Sequence, residues 1–168
     1  MSENKNVWVF IEQDEGKIID VSLELMSKGR ELADTLGSEL WAVLAGHGVE
    51  GLCPGLIARG ADRVLLVEHK ELELYRTLPY ARVLIGLVSE HEPYILLFGA
   101  SSVGRDLGPR VASALRSGLT ADCTDLQIGD YESKKDAKVY KDLLVKLQEL
   151  EEARAKAAEA AAKAAKST

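Results

Sequence analysis

The sequence predicts a three-layer α/β sandwich, a parallel sheet of five strands in the order 3-2-1-4-5 with helices on both faces. Two observations carry this expectation. Short apolar runs, NVWVFI at 6–11, LWAVLA at 40–45, RVLLV at 63–67 and ILLF at 95–98, lack the alternation of a half-solvated strand and read as strands covered on both faces. Segments with apolar residues at helical spacing separate them, and strand–helix alternation with short connections gives parallel strands joined by right-handed crossovers.

In chain order, residues 6–11 form the first strand and Asp14-Glu15-Gly16-Lys17 a tight turn, with Ile18 and Ile19 as a short return. The first helix takes Asp20 or Ser22 as its cap, carries Leu23, Met26, Leu32, Ala33 and Leu36 on its apolar side, and stops at Gly37. Residues 40–45 make the second strand, with Gly46-His47-Gly48 opening at its carboxyl end. A helix over 49–59 contains Pro54 and Gly55, which cost about 3 and about 1 kcal/mol in a regular interior. Either it starts near Cys53 with Pro54 in its first turn, or it is kinked. Residues 63–67 follow as the third strand and 71–75 as a loop or helical turn. A helix over 78–91 then runs through Tyr80, Val83, Leu84, Leu87 and Val88, with Pro93 marking the break. After the fourth strand a helix reaches Leu115, and a fifth strand lies near residues 120–124. The whole is a Rossmann-like sandwich.

Any ligand chemistry centres on residues 94–125. There Gly99-Ala100-Ser101-Ser102-Val103-Gly104 puts small residues and hydroxyls where the fourth strand turns into a helix, whose apolar spacing begins at Arg105-Asp106-Leu107. Ligands of open parallel sheets sit at such strand ends, and a helix N-terminus offers unpaired N–H groups and a positive dipole end to an anion. The loop holds neither GxGxxG nor GxxxxGK[ST], so the same residues also read as plain turn-makers. His47, His69 and His91 lack partners at ligand spacing and read as surface residues. Ser101 and Ser102 have no GxSxG context and no His–Asp pair, which argues against acyl transfer. Arg105 and Asp106 read as capping or interface ions. Thr120, Asp122 and Thr124 either reach a ligand at the sheet edge or merely end the strand. Cys53 is a small apolar filler or a helix-start thiol of lowered pKa. No catalytic residue and no metal ligand set is expected.

Composition narrows the partners. With 168 residues, 46% of them hydrophobic and 29% charged, the chain can bury one core. A net charge of −6 argues against nonspecific binding to nucleic acid or to an anionic membrane. No signal peptide is expected, and no apolar run approaches the ~20 residues of a membrane span. Cys53 and Cys123 lie in different motifs, so reduced thiols in the cytoplasm are expected. From 136 to 166 there is no Gly or Pro, and Leu143, Leu147 and Leu150 follow helical spacing. Half of the eighteen residues from 151 to 168 are alanine, in the manner of an EAAAK spacer. The expected division is a body over 1–131, carrying a charge of −8, and an Ala-rich helix of engineered origin over 132–168. That helix offers one route to self-association.

A longer set of residues resembles a known family. The string GRDLGPRVA at 104–112, followed by GLTADCT at 118–124, is similar to the N-terminal domain of the electron transfer flavoprotein alpha subunit. VWVFIE at 7–12, VSLEL at 21–25, GVEGL at 48–52, GAD at 60–62, YRT at 75–77 and PYA at 79–81 match in the same order. The Cys53-Pro54-Gly55 segment departs from the family's helix formers. The resemblance implies a sandwich of the adenine-nucleotide alpha-hydrolase type and an alpha–beta heterodimer that carries electrons from flavin dehydrogenases through FAD. In that family FAD belongs to a second domain, for which this sequence has no counterpart. The chain is therefore expected to be a noncatalytic scaffold without its own cofactor, partnered by the beta subunit, with former interface surface as a second route to self-association. The family's beta subunit holds AMP or a second flavin at its equivalent edge. That analogy implies an alternative, an adenine-nucleotide module binding AMP or FAD through Phe10, Ile11, Glu12, Gly46, His47, Gly99, Ala100, Ser101, Ser102, Gly104 and Arg105. A third reading is an engineered scaffold with no native activity.

Overall fold

A computed structural model describes residues 6–121, 123 and 125–129. Met1–Ile128 form one compact unit and Gly129–Thr168 a second. The expected helix over 136–166 lies outside the described residues.

The first unit is built from β1 (Val7–Ile11), the hairpin strands β2 (Gln13–Asp14) and β3 (Lys17–Ile18), α1 (Asp20–Leu36), β4 (Leu40–Gly46), α2 (Cys53–Ile57), β5 (Arg63–Glu68), α3 (Thr77–His91), β6 (Ile95–Leu97) and α4 (Ser102–Leu115). Single turns of 3-10 helix at Glu50–Leu52 and Lys70–Leu72 precede α2 and α3. The main sheet is parallel with four strands in the order β5-β4-β1-β6, which is 3-2-1-4 of the expected order. Described residues 118–121 and 123 carry no strand, and Asp122 and Thr124 lie outside the described residues, so the fifth strand is not part of the observed sheet.

Strand periodicity divides the core into two layers. Val7, Val9 and Ile11 of β1 turn to one face, where Met26, Leu32 and Ala33 of α1 and Leu56 of α2 cover them. Trp8 and Phe10 turn to the other, against Tyr80, Ala81 and Leu84 of α3 and Leu107 and Val111 of α4. Both faces of β1 and β4 are thus buried, which explains their unbroken apolar runs.

Local chemistry sets the helix ends, and three expectations are corrected. Neither Asp20 nor Ser22 caps α1: the cap is Ile19, which gives no side-chain hydrogen bond, and Ser22 Oγ instead accepts from the Glu12 N–H at 2.9 Å. Gly37 ends α1 at φ +61, as expected of a left-handed terminus. The helix expected over 49–59 is a 3-10 turn followed by α2 from Cys53, with Pro54 in the first turn, where its missing N–H has no intrahelical role. Cys53 packs at the margin of the α1/α2 core layer in the manner of a small apolar filler, and burial pushes its thiol up rather than down. His91 is no surface histidine: it is half-buried, with its ring 5.7 Å from Trp8 and 5.6 Å from Trp41.

Candidate functional site

The carboxyl ends of β1, β4 and β6 come together at one edge of the sheet, and side chains there line two separate clefts. The larger, of about 730 Å³, lies over β1 and β4 and is lined by Phe10, Ile11, Glu12, His47, Ser101 and Ser102 of the expected set. The smaller, of about 370 Å³, lies beyond β6 and takes Gly99, Ala100, Gly104 and Arg105. The structure therefore divides the expected site in two. Gly46 lines neither: it is buried at the end of β4, and a Cβ there would meet Val49 Cγ1 at 2.7 Å. Thr120 lines the smaller cleft, with Leu119 and Leu126.

Several lining residues of the larger cleft escape sequence reasoning. Asp14, Glu15 and Gly16 overhang it from the β2–β3 turn, and Glu73, Leu74 and Tyr75 reach it from the loop before α3. The turn was legible beside the end of β1, and that adjacency was the available signal. The approach of Tyr75 depends on long-range contacts: its hydroxyl donates to Asp106 Oδ2 of α4 at 2.6 Å, and Thr77 Oγ1 donates to the same oxygen at 2.5 Å. Burial and the Asp106 carboxylate push the Tyr75 phenol up to about 12, while the two hydroxyl bonds hold Asp106 below the usual carboxylate range. Asp106 is thus a tie between α4 and the start of α3.

At the centre of the edge stands Glu12, the residue after β1. It is 6% exposed. Its Oε2 accepts from Ser101 Oγ at 2.6 Å, and its Oε1 is buried without a hydrogen-bond partner. Ser101 is the N-cap of α4: the same hydroxyl accepts from the Gly104 N–H at 3.0 Å. The helix begins at Ser102, three residues before the first apolar spacing suggested, because Ser102, Val103 and Gly104 form its first turn. Close packing selects both glycines: a Cβ at Gly99 would lie 2.8 Å from Glu12 Oε1, and one at Gly104 would lie 1.9 Å from the Gly99 carbonyl oxygen. On the far side of the cleft, the Glu68 carboxylate accepts from the N–H groups of Gly48 and Val49 and fixes the loop that carries His47.

Burial pushes the Glu12 carboxyl above its ordinary range, and the Ser101 hydroxyl offsets this only in part. A carboxyl raised in the folded state contributes stability that is fully present below the ordinary value of 4.5 and is lost as pH rises through the folded value. Glu12→Gln is therefore expected to be more stable than wild type at pH 7, the advantage fading toward pH 4.5; urea denaturation of both chains at the two pH values measures it.

The larger cleft thus presents the carboxylates of Glu12, Asp14, Glu15 and Glu73 with a single histidine, His47. Among the described residues no group of three or more His, Cys, Asp and Glu side chains could hold a metal, and no helix is long and apolar enough to cross a membrane. Fold and edge together define a doubly wound parallel α/β domain whose strand-end helix is capped by its own serine and backed by a buried carboxylate.

Comparison with known proteins places that domain. The electron transfer flavoprotein domain matches residues 7–166. The electron transfer flavoprotein subunit alpha of Clostridium acetobutylicum is 50% identical over 127 residues, covering 76% of this chain and 38% of that protein. The same subunit of Megasphaera elsdenii is 48% identical over 130 residues, 77% of this chain and 38% of that one. The acryloyl-CoA reductase electron transfer subunit beta of Anaerotignum propionicum is 51% identical over 124 residues, 74% and 34%. The chain belongs to the electron transfer flavoprotein family, as the motifs at 104–112 and 118–124 implied. It spans little more than a third of the length of these relatives.

Proposed function

We propose that residues 1–131 are the noncatalytic scaffold of an electron transfer flavoprotein alpha subunit in the cytoplasm, pairing with a beta subunit, and that residues 132–168 are a helical extension. On this reading, FAD in the parent heterodimer is held by residues outside the scaffold, and the chain carries no electrons by itself. The observation that carries the reading is the self-contained strand end. Ser101 commits its hydroxyl to Glu12 and Gly104, and four carboxylates line the cleft where a nucleotide's phosphates would have to lie. Like charges at such range repel in a partly desolvated cleft. The adenine-nucleotide module remains the competing reading, favoured only by the position of the cleft at the strand ends.

Sedimentation of the full chain with the beta subunit of a close relative tests the pairing. A stable one-to-one complex is the expected result, and two independently sedimenting species at micromolar concentration would overturn it.

A further inference from the structure

A third groove lies beside β5, the outer strand of the sheet, and shares no lining residue with either strand-end cleft. Its volume is about 750 Å³. One wall is the end of β5 with the Lys70–Leu72 turn, the other is the first two turns of α3, and Val67, Leu78, Pro79 and Val83 give it an apolar middle. Leu78 stands 61% exposed there. Apolar surface gathered in a groove with charged rims has the pattern of an interaction site, which a single exposed leucine lacks. Charge on the two walls is sorted by sign. Glu68 is engaged by the N–H groups of Gly48 and Val49, and Arg76 donates to the Glu71 carbonyl at 2.9 Å. That leaves the Glu71 carboxylate on the turn and the Arg82 guanidinium on α3, neither of which has a hydrogen bond or ion pair among the described residues.

We propose that this groove is a self-association surface, covered in a two-fold dimer by the same groove of a second copy of the chain. Charge complementarity selects that occupant. A two-fold axis through Leu78 lays the basic wall of one copy on the acidic wall of the other, so that Glu71 faces Arg82 of the second copy twice and the two Leu78 side chains close the apolar middle. Elsewhere the copies repel. Residues 1–131 carry a charge of −8, whereas the groove meets its own image with opposite charges paired. Pairing with a beta subunit is not required for this contact, and none is present in the experiment below.

Sedimentation equilibrium of the purified full chain measures the association. Wild type is expected to show a reversible monomer–dimer equilibrium with a Kd on the order of 100 μM, weak as suits an interface below the standard size of about 1,600 Å². Glu71→Arg and Arg82→Glu are each expected to weaken it about tenfold or more, because each puts two like-charged pairs where two opposite pairs stood. Both reversals in one chain re-create the opposite pairs and are expected to return the association to near its wild-type strength. Mixing the two single variants is expected to give a heterodimer for the same reason. Leu78→Ser removes the apolar middle and is expected to leave monomer at the same concentrations. Glu71, Leu78 and Arg82 are all exposed, so these substitutions leave the core intact. A wild-type chain that stays monomeric up to about 1 mM overturns the proposal. So does a dimer indifferent to both single reversals, or one that the paired reversal fails to restore.

Discussion

Gly104→Ala is expected to lower stability by about 3 kcal/mol or more, the upper range of overpacking effects, and to leave little folded chain on mild heating. Intrinsic propensity alone predicts the opposite, since alanine is favoured over glycine by about 1 kcal/mol in a helix. Contact decides. An alanine Cβ at 104 would stand 1.9 Å from the Gly99 carbonyl oxygen, a backbone atom that cannot swing aside as a flexible side chain would. Relief requires moving α4 away from the end of β6, which breaks the Ser101–Glu12 hydrogen bond and uncovers Leu107 and Val111. The control lies one turn on. At Gly108 the nearest atom to a Cβ is Phe98 Cδ2 at 3.6 Å, ordinary van der Waals contact, so Gly108→Ala is expected to be neutral or mildly stabilising. Urea midpoints of the two variants separate the effect of close approach from that of helix propensity.

Phe10→Ala is expected to destabilise by about 3 to 5 kcal/mol, as for other buried aromatic truncations. Phe10 is central to the layer between the sheet and the α3/α4 pair. Its ring meets Tyr80 edge-on at 6.3 Å and Phe98 at 5.7 Å, with Trp8 and Trp41 stacked at 5.6 Å in the same layer. Truncation leaves a cavity beside the Tyr80 ring, whose hydroxyl donates to the Leu72 carbonyl at 2.8 Å and anchors the turn before α3. A fall in Tm of about 6 to 20 °C is expected for a chain of this size, measured by calorimetry.

Much of the architecture was legible because burial on two faces leaves a plain signature. LWAVLA and VWVFI could hardly be anything but interior strands, and Gly37 and Pro54 marked a helix end and a helix start through backbone chemistry alone. What stayed hidden depends on partners distant in sequence. Ser22 looks like a cap, yet its hydroxyl serves the Glu12 N–H across the loop. Ser102, Val103 and Gly104 show no apolar period, so the first turn of α4 read as loop. His91 looked like a surface residue because its tryptophan neighbours lie on β1 and β4. The candidate site was half legible for a related reason: the sequence gathers residues at strand ends, while the positions of β1, β4 and β6 in the sheet decide which cleft each residue lines.

The central claim, that the strand edge is closed by the chain's own groups and the domain acts as a scaffold, is tested most directly by a thermal-shift titration of the purified wild-type chain. AMP, ATP, FAD and NADH would each be added at pH 7.5 after an absorption spectrum is recorded. A ligand at 100 times its dissociation constant adds about 2.7 kcal/mol, so true binding would be plain. A colourless chain with no shift for any of the four is the predicted result. A saturable shift with AMP or ATP, or absorbance near 450 nm carried through purification, would contradict it and make the larger cleft a working nucleotide site.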